Sequence, residues 1–490
     1  MFLLFRNSRA IFAMFSVMLC CLPFLVVDHL PFIDVPNHIA RLLIRDDIRA
    51  GGSLGTYYSW EWRIIPNMAL EILSAPFAGR MDPEAVVIGL YVAGVVALCA
   101  GAFWIDRSLN GPHWGVSLLT GVIIFNGALR FGFTNYFLGL AVAVPLFAAW
   151  VHFRPRLGIA SLLLFAFAGL GLMHMHLYAY GLYALCVVGY EIGLLFEERP
   201  RLQFGNFRGR LPLLGVGVML AVPGVLLLAG PMRGSAGIVA WSGFGSKLRA
   251  LVSPIYFNQP VVEGGLLLLL GAAMVAGLVT RTLRVHARMM PVLVLLGLAF
   301  LAMPVMLFGS YHADYRLLSG AAFFVIGAVR FVPGTRTVLR VGVAVAVLGL
   351  LVRVGSITAE WILVQPVLRE QIASMAPVPP GARVLLITGD VRALQALGMP
   401  KIGHFAVLGL TRRGAMSGSL FMADFAFPLR LQPAFREYVH DNRRFPPPLD
   451  LDRYDYVQVI GEPPRALLEA HGLDEIGRGT FHTLFRVAPP

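Results

Sequence analysis

The amino-acid sequence predicts an α-helical polytopic membrane protein of about 11 transmembrane helices with a small C-terminal extracytoplasmic α/β domain. Three observations predict this fold class. Of the 490 residues, 57% are hydrophobic and 14% are charged, and the mean hydropathy is +0.73. Apolar residues are gathered in runs of membrane-spanning length. After residue 380 the apolar runs shorten to strand length and charged residues become dense.

Eleven apolar runs predict spanning helices, because a span needs about 20 apolar residues. They lie at about 10–27, 85–105, 114–129, 134–151, 157–173, 177–196, 211–230, 263–280, 290–308, 317–331 and 340–358. The first run lacks a cleavage site of small residues after it, so it predicts an uncleaved span. All four cysteines lie within apolar runs and are interpreted as small hydrophobic residues: Cys20, Cys21, Cys99 and Cys186.

Arginines are concentrated in alternate loops, on one side of the predicted spans, and cytoplasmic loops retain basic residues. The basic side holds Arg6, Arg9, Arg107, Arg154, Arg156 and the segments 199–210, 281–288 and 330–340. We therefore predict a multi-pass protein of a bacterial inner (cytoplasmic) membrane, with a cytoplasmic N-terminus and a periplasmic or extracellular C-terminal domain. The low lysine content, Lys247 and Lys401 only, is typical of a GC-rich bacterial genome. The net charge of +13 is assigned to topology signals, and no nucleic-acid partner is expected.

The predicted organisation is a transmembrane domain at 1–358 with a large extracytoplasmic loop at 28–84, a linker at 359–380 and the α/β domain at 381–490. Within that domain the pattern predicts strands at 383–388, 454–460 and 480–487, and a helix at 464–471. The dipeptide Gly389-Asp390 follows a strand without a Gly-rich loop, which favours an ordinary turn over a nucleotide site.

The segment that leaves the first span, 28–49, has the most informative pattern. Pro36 suits a helix start. From there, steps of four, three, four and four residues place one set of side chains on a common helix face: Asp34, His38, Arg41, Arg45 and Arg49. Ile39, Leu42 and Leu43 turn another way, which predicts an interfacial helix with its apolar side down and its basic side exposed.

Two interpretations of this segment stay open. In the first, the arginines meet anionic headgroups and Asp34 caps the helix. In the second, a carboxylate beside His and Arg at the membrane surface removes a proton from an acceptor hydroxyl, and the Arg side chains neutralise a phosphate leaving group.

The layout resembles the GT-C glycosyltransferase superfamily, with Asp34-Val35-Pro36-Asn37-His38 in the first external loop as the local match. The resemblance implies that an acidic residue of this loop is the catalytic base and that the donor is a sugar on a polyprenyl phosphate. It implies a glycan, lipid or protein acceptor, besides contacts with membrane lipids. The base role is carried to Asp34, with Asp28 as its rival, because the paired acidic motif of several relatives is absent.

Other external side chains are candidates for substrate binding. Trp60, beside Trp62, offers an interfacial belt or a stacking surface for a sugar, with Arg63 near it. His174 and His176 form a His-x-His pair that could hold a divalent cation, but no Cys or carboxylate stands at suitable spacing, so no cofactor is the favoured expectation.

The turn at 311–316 brings His312, Asp314 and Arg316 together, either as donor-phosphate ligands or as an outer turn with a snorkelling arginine. Arg130 stands between Asn126 and Asn135 at another outer turn. Arg353 lies inside the last apolar run, where it either faces a cavity or a partner, or serves as an interfacial anchor if the span ends near Leu351.

Two further function classes compete with a glycosyltransferase. A transporter or flippase of lipid-linked saccharides would carry ionisable residues near the bilayer midplane, often in repeated halves. A non-catalytic subunit of a polysaccharide assembly or export complex would use the C-terminal domain for partner contacts. The enzyme hypothesis predicts that Asp34, Arg316 and the His174 turn surround one cavity.

Overall fold

The structure, a computed structural model, describes residues 2–111, 116–198, 215–218, 238–257, 259–332, 334–396, 402–422, 426–438, 451–469 and 472–488. The chain divides into two compact units. The first unit comprises Met1–Leu25, Ile65–Ile72 and Leu90–Thr358, and the second comprises Val26–Ile64, Leu73–Gly89 and Ala359–Pro490.

Long apolar helices dominate the described chain. Five are long and apolar enough to cross a membrane: Pro83–Asn110, Thr134–Arg156, Leu177–Glu197, Pro260–Val279 and Thr337–Ala373. Shorter apolar helices run over Ile11–Leu25, Ile159–Met175 and Ala287–Ala302. These helices confirm a polytopic membrane protein, while the total of about eleven spans stays a prediction.

The remaining α-helices of the described residues are short or polar. They are Val35–Arg49, Ala69–Ser74, Thr120–Ile124, Gly127–Arg130, Phe244–Ala250, Ala313–Ile326, Arg392–Ala396, Gly403–Arg412 and Arg465–Leu468. The predicted span at 211–230 lies outside the described residues except for 215–218.

The prediction of one continuous span at 114–129 is wrong for its described part. The chain forms the short helices Thr120–Ile124 and Gly127–Arg130, separated by an extended Asn126. The Asn126 side chain accepts the backbone N–H groups of Ala128 and Leu129, so it starts a new helix instead of continuing the previous one.

Two further spans end earlier than predicted, and one is longer. The helix Met290–Ala302 gives way to a hairpin of Met306–Leu307 and Ser310–Tyr311, since Pro304 cannot donate a helical hydrogen bond. The helix Ala313–Ile326 is followed by the strand Val329–Phe331, which pairs with Leu283–Val285. The last apolar run belongs to a helix Arg336–Ala373, so much of the predicted linker 359–380 is helical.

The second unit contains a five-stranded mixed sheet. Its strand order is Leu473–Arg478, His482–Val487, Tyr456–Ile460, Arg383–Thr388 and Met416–Ser417. The buried central strands are parallel to each other, and their runs of Val, Leu and Ile made them predictable. The edge strand Leu473–Arg478 and the helix Gly403–Arg412 were not predicted, because the edge strand is polar and half exposed and the helix pattern is short.

The turn after the strand Arg383–Thr388 is an ordinary one, as predicted. The Gly389 N–H donates to the Ile460 carbonyl at 2.8 Å, and the Asp390 N–H donates to the Glu462 carbonyl at 2.9 Å. A Cβ atom at Gly389 would lie 2.0 Å from the Glu462 carbonyl oxygen, so only glycine fits this approach. The Asp390 carboxylate accepts from Arg392.

The extracytoplasmic loop predicted at 28–84 folds largely with the C-terminal part of the chain. Ala40 and Ile44 of the helix Val35–Arg49 belong to one hydrophobic core with Leu368 and Phe405. The strand Tyr58–Trp60 pairs with Leu429–Leu431 in antiparallel register. Both observations show that this loop packs as part of the second unit and does not form a separate extended loop.

Candidate active site

The chain from Asp28 to Asp34 is fixed by the long helix Arg336–Ala373. The Gln365 side chain accepts the His29 N–H at 3.0 Å and donates to the His29 carbonyl at 2.9 Å. Phe32 packs edge-on against Trp361, with ring centroids 5.1 Å apart. The two rival carboxylates therefore begin and end a segment whose backbone is held in place.

Asp28 forms an ion pair with Arg369. Its Oδ2 accepts the Arg369 Nε–H at 3.0 Å and a second guanidinium N–H. Both side chains are more than half exposed, so the pair contributes little to stability but occupies the carboxylate.

Asp34 directly precedes the helix Val35–Arg49, which begins with Pro36 in its first turn as predicted. The Asp34 side chain makes no cap hydrogen bond, so the capping interpretation is wrong. Its Oδ1 lies 3.8 Å from His404 Nδ1, and 19% of the side chain is exposed. Asp34 is thus reachable while lying beside a buried group of side chains.

His38, Arg41 and Arg45 of this helix are buried and Arg49 at its end is exposed, so the prediction of an exposed basic face is wrong for three of its four basic residues. Arg41 is fully buried with its guanidinium 4.1 Å from the Phe427 ring centroid. The His38 ring meets the same Phe427 ring at 6.3 Å. Arg45 donates to Asp46 at 2.8 Å and to Ser74 at 2.9 Å. Aromatic side chains distant in sequence cover the face that the sequence pattern left open.

His38 is uncharged at neutral pH. Burial lowers the pKa of His38 well below its ordinary value, and electrostatic interactions with Arg41 and His404 lower it further. The His38 Nδ1 atom is buried and makes no hydrogen bond to the described residues. A neutral imidazole beside Asp34 adds polarity without adding charge.

We expect the stability of the second unit to fall as the pH drops below about 6.5. The unfolded chain binds a proton on His38 near that pH, whereas the folded chain does not until a far lower pH. The free energy of unfolding should therefore decrease by about 1.4 kcal/mol per pH unit for this group. His482 adds to the trend, because burial also lowers its pKa against the opposing effect of Glu370.

Denaturant titration in detergent micelles between pH 5 and 8 measures this slope. The variant His38→Gln should reduce the pH dependence of the free energy of unfolding by the contribution of one bound proton. The control His152→Asn changes an exposed histidine and should leave it unaltered. An unchanged slope in His38→Gln would contradict the assignment of a buried neutral His38.

The sequence did not single out Glu84, His29 or Arg412, which form a polar group in the same unit, with Glu84 and His29 buried and Arg412 at the surface. Glu84 Oε1 lies 2.8 Å from His29 Nδ1, and its other oxygen accepts from Arg412. The only sequence signal was an acidic residue at the start of a helix after Pro83. His404 was also missed, since no motif around it in the sequence indicates a functional side chain.

Trp60 lies in the strand that pairs with Leu429–Leu431 and meets Trp62 edge-on at 5.9 Å. The Arg45 guanidinium lies 6.0 Å from the Trp60 ring. Trp62 is 56% exposed, and Arg63 makes an exposed ion pair with Glu61 at 3.5 Å. The choice between an interfacial belt and a sugar-stacking surface stays open.

In the first unit Arg316 is buried, so the snorkelling interpretation is wrong. Its guanidinium lies 3.8 Å from the Phe133 ring centroid and 5.4 Å from that of Tyr178. It donates to the Ser310 hydroxyl, and the Tyr136 hydroxyl donates to the Arg316 carbonyl. This arginine is held in an aromatic frame.

His312 and Asp314 flank this frame at the start of the helix Ala313–Ile326. His312 adopts a left-handed conformation with φ +59° and stacks on Phe131 at 4.3 Å. Asp314 is fully buried, accepts the Tyr315 N–H at 3.0 Å and lies 4.0 Å from the Lys247 ammonium. The strained His312 backbone costs of the order of 1–3 kcal/mol and is typical of functional sites.

The histidines of the 174–176 turn make local contacts. His174 Nδ1 bonds to the Leu170 carbonyl at 2.9 Å, and His176 Nδ1 accepts the Tyr178 N–H at 3.2 Å. Among the described residues no group of three or more His, Cys, Asp or Glu side chains could hold a metal ion. The expectation about a divalent cation stays a prediction.

The polar groups near residue 130 serve the packing of the first unit. Arg130 donates to the Tyr256 hydroxyl at 3.2 Å. Asn135 accepts the Leu70 N–H and donates to the Asn67 carbonyl, both at 2.6 Å. The Asn135 bonds anchor the segment Ile65–Ile72, which belongs to the first unit.

Arg353 is completely buried within the helix Arg336–Ala373, so the anchor interpretation is wrong. Its guanidinium lies 3.5 Å from Glu263 and donates to the backbone carbonyls of Phe125 and Ile255. Glu263 in turn accepts the Gln259 N–H at 2.9 Å. Arg353 therefore has a partner inside the first unit, Glu263, as the interpretation of a buried arginine predicted.

The candidate residues thus form two groups. Asp28, Asp34, His38, Arg41, Arg45, Trp60 and Arg63 belong to the second unit, and Arg130, His174, His176, His312, Asp314, Arg316 and Arg353 belong to the first. One cavity shared by Asp34, Arg316 and the His174 turn stays a prediction.

The long apolar helices and the mixed α/β unit define the chain as a polytopic membrane protein with a folded polar portion. No protein-family model and no curated protein matches it. Its structure is similar to the crystal structure of ArnT from Cupriavidus metallidurans bound to undecaprenyl phosphate. The TM-score is 0.46 at 13% sequence identity, and the match covers 99% of each chain.

Proposed function

We propose that this chain is a glycosyltransferase that moves a sugar from a polyprenyl-phosphate donor to an acceptor on the extracytoplasmic face, with Asp34 as general base. One observation carries the proposal: Asp34 is a partly exposed carboxylate on a fixed backbone, directly before the helix that carries His38 and Arg41 and 3.8 Å from His404. A positioned carboxylate with access to solvent is the group that proton abstraction from a hydroxyl requires.

The two rival carboxylates differ in their partners. Asp28 accepts two hydrogen bonds from Arg369, in an ion pair whose two side chains are both more than half exposed. Asp34 lies 3.8 Å from His404 Nδ1, with 19% of its side chain exposed. Its place directly before the helix that carries His38 and Arg41 favours Asp34 as the base, and Asp28 stays its rival.

In the proposed reaction Asp34 takes the proton of the acceptor hydroxyl as its oxygen bonds to the anomeric carbon of the sugar. The bond between that carbon and the phosphate oxygen breaks, and the polyprenyl phosphate leaves with the electron pair. Arginine neutralises the phosphate best because its planar guanidinium binds two oxygens at once. Arg41 and Arg45 of the helix that follows Asp34 are the proposed source of positive charge for the phosphate, and the role of Arg316 and His312 as phosphate ligands stays a prediction.

Reconstituted membranes with a labelled polyprenyl-phosphate sugar test the proposal. The full chain should transfer label to an acceptor in a membrane extract, and mass spectrometry of lipids extracted from the purified protein should show a bound polyprenyl phosphate. Movement of the labelled lipid between leaflets without transfer would indicate a flippase instead. If neither transfer nor bound lipid is detected, the proposal is contradicted and a non-catalytic subunit is favoured.

A further inference from the structure

We infer that His404 is a positioning residue for the Asp34 carboxylate, contributed by the C-terminal part of the chain to the first extracytoplasmic loop. This inference rests on the proposed function of Asp34. It assigns a role in catalysis to a portion of the sequence in which no polar motif was recognisable.

The backbone of His404 is held by tight packing. His404 is the second residue of the helix Gly403–Arg412, whose Phe405, Ala406 and Leu410 lie in the core shared with Ala40 and Ile44. A Cβ atom at Gly409 would lie 2.5 Å from the Ile372 carbonyl oxygen, so this helix approaches its neighbour as closely as backbones can. A side chain on such a helix is placed with little freedom.

The hydrogen bond of His404 fixes which ring nitrogen carries the proton. Its Nδ1 lies 2.7 Å from the Ile33 carbonyl oxygen. Because a carbonyl can only accept, Nδ1 is the protonated nitrogen and donates to the peptide that precedes Asp34. The Phe421 ring meets the imidazole edge-on at 5.4 Å and limits its rotation.

The same nitrogen lies 3.8 Å from Asp34 Oδ1, and fewer than one-fifth of either side chain is exposed. The Nδ1–H dipole is therefore directed at the Ile33–Asp34 junction from a partly buried position, where screening by water is reduced. His404 thus bonds to the peptide that precedes Asp34 and lies beside the Asp34 carboxylate, so it can direct how that carboxylate leaves the backbone.

The variants His404→Ala and His404→Asn separate this role from folding. Alanine removes the donor, whereas the asparagine amide nitrogen takes the position of Nδ1 and keeps the bond to Ile33. We expect His404→Ala to lower kcat about 10- to 100-fold with KM for the donor changed less than about threefold, since small misplacements of a catalytic group act on kcat. His404→Asn should recover most of the loss.

A double-mutant cycle with Asp34→Asn gives a readout that a structural role would not produce. If His404 acts through Asp34, His404→Ala should have no further effect on the residual activity of Asp34→Asn. The matched control is His482→Asn, which alters another buried histidine of the second unit that bonds to Gln371. This control should leave kcat unchanged even if it lowers the unfolding midpoint.

Four outcomes overturn parts of this picture separately. Wild-type kcat in His404→Ala, or additive losses in the cycle, would overturn the positioning role while leaving Asp34 as the base. Failure of His404→Asn to recover kcat, with an unchanged unfolding midpoint, would also overturn it. Full activity of Asp34→Asn alone would overturn the proposed base itself.

Discussion

Replacing Asp34 by Asn should lower kcat for sugar transfer about 10²- to 10⁴-fold, the range contributed by a positioned general base. Asparagine keeps the size and polarity of the side chain but cannot accept the proton of the acceptor hydroxyl. KM for the donor should change little, because the donor phosphate is assigned to arginines. Initial rates with labelled donor in reconstituted membranes measure both constants.

The control for this experiment is Asp28→Asn, which releases the exposed ion pair with Arg369. Because exposed pairs contribute about 0–1 kcal/mol, its rate should stay within about fivefold of wild type. Inverted results, with Asp28→Asn inactive and Asp34→Asn active, would transfer the base role to Asp28. Equal activity of both variants would sink the assignment of a base to this segment.

Replacing Arg353 by Met should have the largest effect on stability, lowering the free energy of unfolding by about 3–5 kcal/mol. The substitution removes the counter-ion of the buried Glu263 and the donors to the Phe125 and Ile255 carbonyls. Buried groups without partners bear their full desolvation cost. Denaturant titration in mixed micelles measures the change.

The exposed pair of Arg288 and Glu197, at 2.8 Å in the same unit, provides the matched control. Arg288→Met should change the free energy of unfolding by no more than about 1 kcal/mol. The double variant Arg353→Met, Glu263→Gln should recover part of the loss because it removes the uncompensated charge. Similar effects of the two single arginine variants would show that Arg353 is not a buried ion-pair partner.

Patterns in the sequence identified the helices and strands that are determined by residues close to one another in the chain. The apolar runs at 85–105, 134–151 and 177–196 predicted long helices because lipid leaves a chain no other way to satisfy its backbone. The runs RVLLIT and YVQVI at the sheet centre predicted strands. Pro36 placed the start of the helix that follows Asp34.

The sequence by itself also brought Asp34 and Asp28 forward, since their place after the first span is a matter of chain order. It determined that these carboxylates stand beside a helix with His and Arg on one face. The burial of that face could not be foreseen, because Phe427, which covers Arg41 and His38, lies almost 400 positions away.

Only the tertiary structure decided how the two acids differ. Arg369, His404 and Gln365 reach the segment 28–34 across more than 300 positions of sequence. Contacts of that range leave no periodicity or spacing for a sequence pattern to report, since each depends on the packing of whole helices and strands against one another. Composition and local order determined that this is a membrane protein with acids after its first span, and packing determined that Asp28 pairs with Arg369 and that Asp34 lies beside His404.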